Sequence, residues 1–164
     1  MPNTPGFKVV VIEDSPHMQV MITDFLQQKM PDAIVVAYPT GEKALKDLQS
    51  APDLFILDYN LDSINPGAMN GLQVFLKLKE LFNSPVVFLS AQERTDVSAN
   101  IIKYGAYDYV VKNEESFHRL EIILKNVIAD QSNRKQLLTQ KSSINALIVI
   151  LVSIIAALLL FKVL

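Results

Sequence analysis

Phe7-Lys8-Val9-Val10-Val11-Ile12-Glu13-Asp14-Ser15-Pro16 opens with a β-branched run and breaks off at two acids. A continuous apolar run of this kind reads as a strand buried on both faces, the habit of a parallel sheet rather than of a sheet with one wet side. Ser15-Pro16 then offers an N-cap followed by a proline at the first helical position, and Met18, Met21, Ile22, Phe25 and Leu26 follow at helical spacing. The stretch is one strand, one polar turn and one helix, and the rest of the chain repeats that unit.

Residues 33–37 read as a second strand and residues 41–49 as a second helix. Leu54-Phe55-Ile56-Leu57 is a buried-type strand that stops at Asp58, and residues 72–81 carry helical periodicity. A fourth strand is expected over 85–89, a short helix over 97–104 and a fifth strand over 107–111. Phe117, Leu120, Ile123, Leu124, Val127 and Ile128 mark a fifth helix. Five strand–helix units in order predict a doubly wound α/β domain built on a five-stranded parallel sheet.

In such sheets ligands bind beyond the carboxyl ends of the strands, where the loops meet. The first strand ends in Glu13-Asp14, the third in Asp58, the fourth in Ser90 and the fifth in Lys112. Any one of these acids alone reads most simply as a helix cap or a solvated loop residue. All of them on one edge is another matter, because three carboxylates held close raise each other's pKa unless a cation joins them. Mg2+ suits that edge, since it takes oxygen ligands and commonly binds through one or two carboxylates plus a phosphate.

With these residues in place, the region from about residue 7 to 128 resembles the receiver domain of two-component response regulators, close in layout to the single-domain chemotaxis type. The resemblance is carried by Glu13-Asp14, by Asp58 after an apolar strand, by Ser90-Ala91, and most specifically by Gly105-Ala106-Tyr107-Asp108-Tyr109-Val110-Val111-Lys112. It implies a flavodoxin-like fold in which Asp58 accepts a phosphoryl group from a histidine kinase or phosphotransfer protein. It further implies that Glu13, Asp14, Asp58 and the backbone carbonyl of Asn60 hold Mg2+, that Ser90 and Lys112 bind the phosphate, and that Tyr109 turns inward as part of the switch. Such a domain is a phosphoacceptor that assists its own phosphorylation and dephosphorylation, not an enzyme acting on a separate substrate. Two departures stand out: Asn113 replaces the proline usual after the lysine, and residues 62–70 make a longer loop than the family's.

Composition removes other classes. The 164 residues include no cysteine, which excludes disulfides and thiolate metal sites. The net charge of −2, the lack of a basic–aromatic stretch and the isolation of His17 from His118 argue against a nucleic-acid partner. The polar lead over residues 1–6 has no charged n-region ahead of an apolar core, so it does not read as a secretory signal.

The apolar excess sits at the far end. Residues 146–161 carry no charge, and Ser153 is their one polar side chain. As a helix, residues 144–164 would span about 31 Å, close to the thickness of a bilayer core. Its leucine, isoleucine, valine and phenylalanine side chains favour insertion by roughly 5 kcal/mol together. Arg134, Lys135 and Lys141 precede the run and Lys162 follows it, which places the N-terminal domain in the cytoplasm of a single-pass cell-membrane protein. The expected organisation is therefore a lead (1–6), a receiver domain (7–129), a juxtamembrane connector (130–143) able to continue the fifth helix and a transmembrane helix (144–164), with the membrane, a kinase or phosphotransfer protein and a second copy of the chain as partners. Three rival readings remain open: an unphosphorylated pseudo-receiver serving as a membrane-bound scaffold, a final helix buried in an oligomer or partner groove, and an aspartate-nucleophile phosphohydrolase of the haloacid-dehalogenase type. The last lacks its usual second aspartate, since Asn60 stands there, and it leaves Glu13-Asp14 unexplained.

Overall fold

The strand runs pair because each is apolar on both faces and needs a helix on either side. In the computed structural model, which describes residues 6–61, 67–91 and 95–163 apart from the side chains of 95–97 and 154–163, they do so as β1 (Lys8–Ile12), β2 (Ile34–Tyr38), β3 (Leu54–Leu57), β4 (Val86–Ser90) and β5 (Asp108–Val111). All pairings are parallel, in the order β2-β1-β3-β4-β5. The helices are α1 (Pro16–Lys29), α2 (Gly41–Asp47), α3 (Gly71–Leu81), α4 (Thr95–Lys103) and α5 (Ser116–Val163). The chain divides into two compact units, Met1–Lys125 and Asn126–Leu164.

Within the first unit the period of two sorts the strand residues between two cores. Val10, Ile12, Phe55, Leu57, Val86, Phe88 and Tyr109 pack with Ala44 of α2, Val74, Phe75 and Leu78 of α3, and Ile101 of α4. Their neighbours Val9, Val11, Ile56, Val87, Leu89 and Val110 are also buried and point to the opposite face, where α1 and α5 pair. That pairing is fixed by the Phe25 and Phe117 rings, 5.0 Å apart, and by Lys29 at 2.6 Å from Glu121. Glu121 also bonds Lys125, and the two lysines, Lys125 first, draw its carboxyl down to about 2. Helix starts are capped as the side chains dictate: Ser15 accepts from the Met18 amide and Thr40 from Lys43, while Asn70 and Gln73 form a reciprocal capping box.

The expected elements appear within a few residues of their predicted ends, and the fifth helix continues through residues 130–143 to Val163. No glycine follows Gly105 and no proline follows Pro85, so nothing in the connector stops a helix. Three hydroxyls on the way bond locally, as Thr139, Ser143 and Ser153 donate to the carbonyls of Lys135, Thr139 and Val149. Among the described residues no helix is long and apolar enough to cross a membrane. Of the expected segment 144–164, the side chains beyond residue 153 lie outside the described residues, as do residues 62–66 of the long loop after β3.

Phe75 is fully buried and meets Phe88 edge-on at 5.4 Å, so it is a keystone of the α3 face. Phe75→Ala is expected to lower stability by about 3–5 kcal/mol in urea unfolding, whereas Leu76→Ala on the exposed side of α3 should cost less than about 1 kcal/mol.

Candidate functional site

The register of the sheet decides which side chains meet. Ile12 lies beside Leu57, and Ser90 beside Val111. One residue further on, β1 therefore presents Glu13, β3 presents Asp58 and β5 presents Lys112 at the same edge. Backbone bonds hold these exits: the Asp58 amide donates to the Ile12 carbonyl at 2.9 Å, Glu13 to Tyr38 at 3.1 Å, and Lys112 to Ser90 at 2.7 Å. The turn after β1 is braced by Gln19 of α1, whose amide donates to the Glu13 carbonyl at 2.5 Å.

Glu13, Asp14 and Asp58 each bring a carboxylate oxygen within 4.8 Å of the other two. Glu13 and Asp58 are nearly sealed from solvent, at 2% and 5% exposure, while Asp14 is half-buried. The Lys112 ammonium bridges the buried pair, 2.7 Å from Glu13 Oε2 and 3.0 Å from Asp58 Oδ2. Burial and then the Asp58 charge push the Glu13 carboxyl up to about 7, and the Lys112 contact offsets them only in part. The Asn60 amide donates to Asp58 Oδ1 at 3.3 Å.

Oxygen ligands from two strand ends, with a net negative charge that one lysine leaves uncompensated, fit a hard divalent cation such as Mg2+. Receiver domains bind Mg2+ at an acidic pocket of this composition. Among the residues expected here, Glu13, Asp14, Asp58 and Lys112 come together directly.

Ser90 and Tyr109 stand just behind them. Ser90 is fully buried and hydrogen-bonded to the Tyr109 hydroxyl, and the Tyr109 ring, only 7% exposed, stacks on Phe88 at 6.3 Å. Burial raises the Tyr109 hydroxyl pKa. Phe88 also meets Tyr59 at 6.2 Å, so the residue after Asp58 and Tyr109 share one aromatic neighbour. Neither Phe88 nor Tyr59 was singled out in the sequence reading, although the alternation along β4 places positions 86, 88 and 90 on one face. Gln19 was missed as well, for want of any pattern signal.

At Asn113, where the family has proline, every described peptide bond is trans. The asparagine instead closes an Asx turn just ahead of α5: its side chain accepts from the Glu115 amide at 3.0 Å, and its carbonyl accepts from the Ser116 hydroxyl at 2.8 Å.

The raised Glu13 pKa carries a pH dependence. A carboxyl near 4.5 when unfolded and about 7 when folded stabilises the metal-free protein below its unfolded value, and that contribution is lost as pH rises through about 7. Thermal unfolding of the metal-free chain should therefore show stability falling between about pH 5 and pH 7. A Mg2+ titration should show affinity rising over the same interval, because the ion displaces the proton, and Glu13→Gln should flatten both profiles.

Residues 9–124 match the model of the response regulator receiver domain. The protein-glutamate methylesterase/protein-glutamine glutaminase of Bacillus subtilis is 32% identical over 108 residues, 64% of this chain and 29% of that protein, so the chain spans under a third of that relative's length. The N-terminal domain of a response regulator/sensory box/GGDEF protein from Carboxydothermus hydrogenoformans is 27% identical, with a TM-score of 0.64 over 77% of this chain and 98% of that one. The BeF3-activated receiver domain of RstA from Klebsiella pneumoniae is 26% identical, with a TM-score of 0.63 over 73% of this chain and 97% of that one. By sequence, by strand order and by the acidic edge, the chain belongs to the response regulator receiver domain family.

Proposed function

We propose that the chain is a membrane-anchored response regulator receiver in which Asp58 accepts a phosphoryl group from the phosphohistidine of a histidine kinase or phosphotransfer protein. The observation that carries it is the buried Asp58 carboxylate set between two further acids and one lysine at the open edge of the sheet. An Asp58 oxygen attacks phosphorus, the phosphorus–nitrogen bond breaks, and its electron pair leaves on the imidazole, giving an acyl phosphate. Lys112, already 3.0 Å from Asp58, offers a compact positive charge to one phosphoryl oxygen, and the Ser90 hydroxyl can donate to another. Mg2+ held by Glu13, Asp14, Asp58 and the Asn60 carbonyl would neutralise charge on the remaining oxygens. Receiver domains take part in just such exchanges with histidine kinases and phosphotransfer proteins, and the activated state of the RstA relative was captured with a beryllofluoride group. The methylesterase activity named for the Bacillus subtilis relative is not carried over, because the shared region is under a third of that protein.

The signal leaves through protein contacts. α4, β5 and α5 adjoin Ser90 and Tyr109, and a second copy of the chain is among the partners this face can take. Anchoring through residues 144–164 is supported by the uncharged run 146–161, and the three cations before it favour a cytoplasmic receiver. Tethering confines partners to a thin layer and raises their effective concentration, so weak contacts suffice.

Intact-mass analysis after incubation with acetyl phosphate and Mg2+ should show one added phosphoryl group on the wild type and none on Asp58→Asn; equal labelling of both would remove Asp58 from its role. Carbonate washing should leave the full-length chain in the membrane pellet, while truncation before Ser142 should release it. Extraction of the intact chain by carbonate would favour a helix buried against protein.

A further inference from the structure

The loop between Asp58 and α3 is long, yet its last residues are tied down at three points. Glu42, in the first turn of α2, accepts a hydrogen bond from the Met69 amide at 2.6 Å, across 27 residues of sequence. Asn70 and Gln73 close the capping box, each amide 3.0 Å from the other's side-chain oxygen. The Gly71 amide donates to the Tyr59 carbonyl at 2.8 Å. At Gly71 there is no room for a side chain, since a methyl built there would overlap the Asp58 carbonyl oxygen and lie 2.6 Å from Tyr59 Cα. Those neighbours are backbone, so they yield only if the end of β3 itself moves. The start of α2 is packed just as closely, for a methyl on Gly41 would overlap Val74 of α3.

We infer that Glu42 is a positioning residue for Asp58: it clamps the chain at Met69, and through the Asn70–Gly71 corner the clamp fixes the backbone that carries the Asp58 carboxylate. The inference rests on Asp58 as the phosphoacceptor. A carboxylate on a backbone amide is a charge-assisted bond, stronger than a neutral one. The bond reaches a corner in backbone contact with Asp58 and Tyr59, so its loss is transmitted without passing through a flexible side chain. Small displacements of a reacting group cost rate far out of proportion to their size. The plain alternative for Glu42 is an acid that merely complements the positive end of the α2 dipole. The two roles separate in Glu42→Gln, which keeps an oxygen for the Met69 amide but gives up the charge.

The test uses the full-length chain in mild detergent, comparing wild type, Glu42→Gln, Glu42→Ala and Gly71→Ala. Acetyl phosphate labelling is followed by intact mass, Mn2+ binding by the resonance of the free ion, and unfolding by heat. Glu42→Ala should label about fivefold to tenfold more slowly and bind Mn2+ more weakly at a near-unchanged melting temperature, with Glu42→Gln within about twofold of wild type. Gly71→Ala should lose more than Glu42→Ala on both readouts; where it fails to fold, the Glu42 pair carries the test. Wild-type labelling and Mn2+ affinity in Glu42→Ala would overturn the clamp, and so would a Glu42→Gln variant as impaired as Glu42→Ala. Failure of the wild type itself to label would strike the phosphoacceptor role instead, and the Mn2+ comparison would still decide the clamp.

Discussion

Two carboxylates almost sealed from water sit at the end of one sheet, and the ammonium of Lys112 is what makes their company tolerable. Removing either charge partner from such a group leaves a buried ion uncompensated, which costs several times what a surface pair contributes. The parallel register forces the juxtaposition, because β1 and β3 end level and each continues into an acid. Lys112 reaches the pair from the far edge of the sheet, its backbone held by Ser90 at the end of β4. Under the proposed function the site is set for competition: an incoming cation would contend with Lys112 for Glu13, and a phosphoryl group on Asp58 would give Lys112 another anion to meet.

The same sheet edge links chemistry to surface. Ser90 is fully buried at the end of β4, and it is already bonded to Tyr109. Any demand placed on Ser90 at the acidic edge is therefore felt at the Tyr109 hydroxyl. Phe88 lies under the Tyr109 ring and beside Tyr59, which follows Asp58 directly, so an aromatic contact runs parallel to the hydrogen bond. Cores packed this tightly favour discrete arrangements over gradual deformation, which suits the switch role expected of Tyr109.

What the sequence told in advance follows from how local each signal is. Strand runs, the Ser15-Pro16 start and the acids at strand ends are contiguous, and each appears where the pattern places it. Glu13, Asp14, Asp58 and Lys112 could be grouped because strand order puts strand ends together whatever the side chains do. Glu42 and Gln19 were invisible, since their partners are backbone atoms whose position depends on loop paths and not on any residue pattern. The role of Gly71 was equally hidden, as a glycine before a helix reads simply as a turn. The continuation of α5 through residues 130–143 was open to the sequence, because polarity does not break a helix when glycine and proline are absent.

The last helix poses a solvation problem that any account of the protein must answer. Ile144 and the consecutive residues Leu147, Ile148, Val149, Ile150, Leu151 and Val152 are each 53–65% exposed. Six consecutive residues on a helix point in every direction around it, so no single groove or partner helix could cover them. Leaving each such side chain in water forgoes about 1 kcal/mol or more of burial. That all-round exposure is what supports the proposed anchor, since a bilayer would cover every face of the helix and a one-sided interface would not. The hydroxyls agree, for Ser153 donates to its own helix at Val149 and brings no unsatisfied donor into such a medium. The charges agree as well: all seventeen acids of the chain precede residue 131, and the four ionisable side chains after it, Arg134, Lys135, Lys141 and Lys162, are cations that flank the apolar run and leave its interior uncharged. Cations at the ends of an apolar helix can extend toward lipid head groups, which is the arrangement the proposed anchor would use.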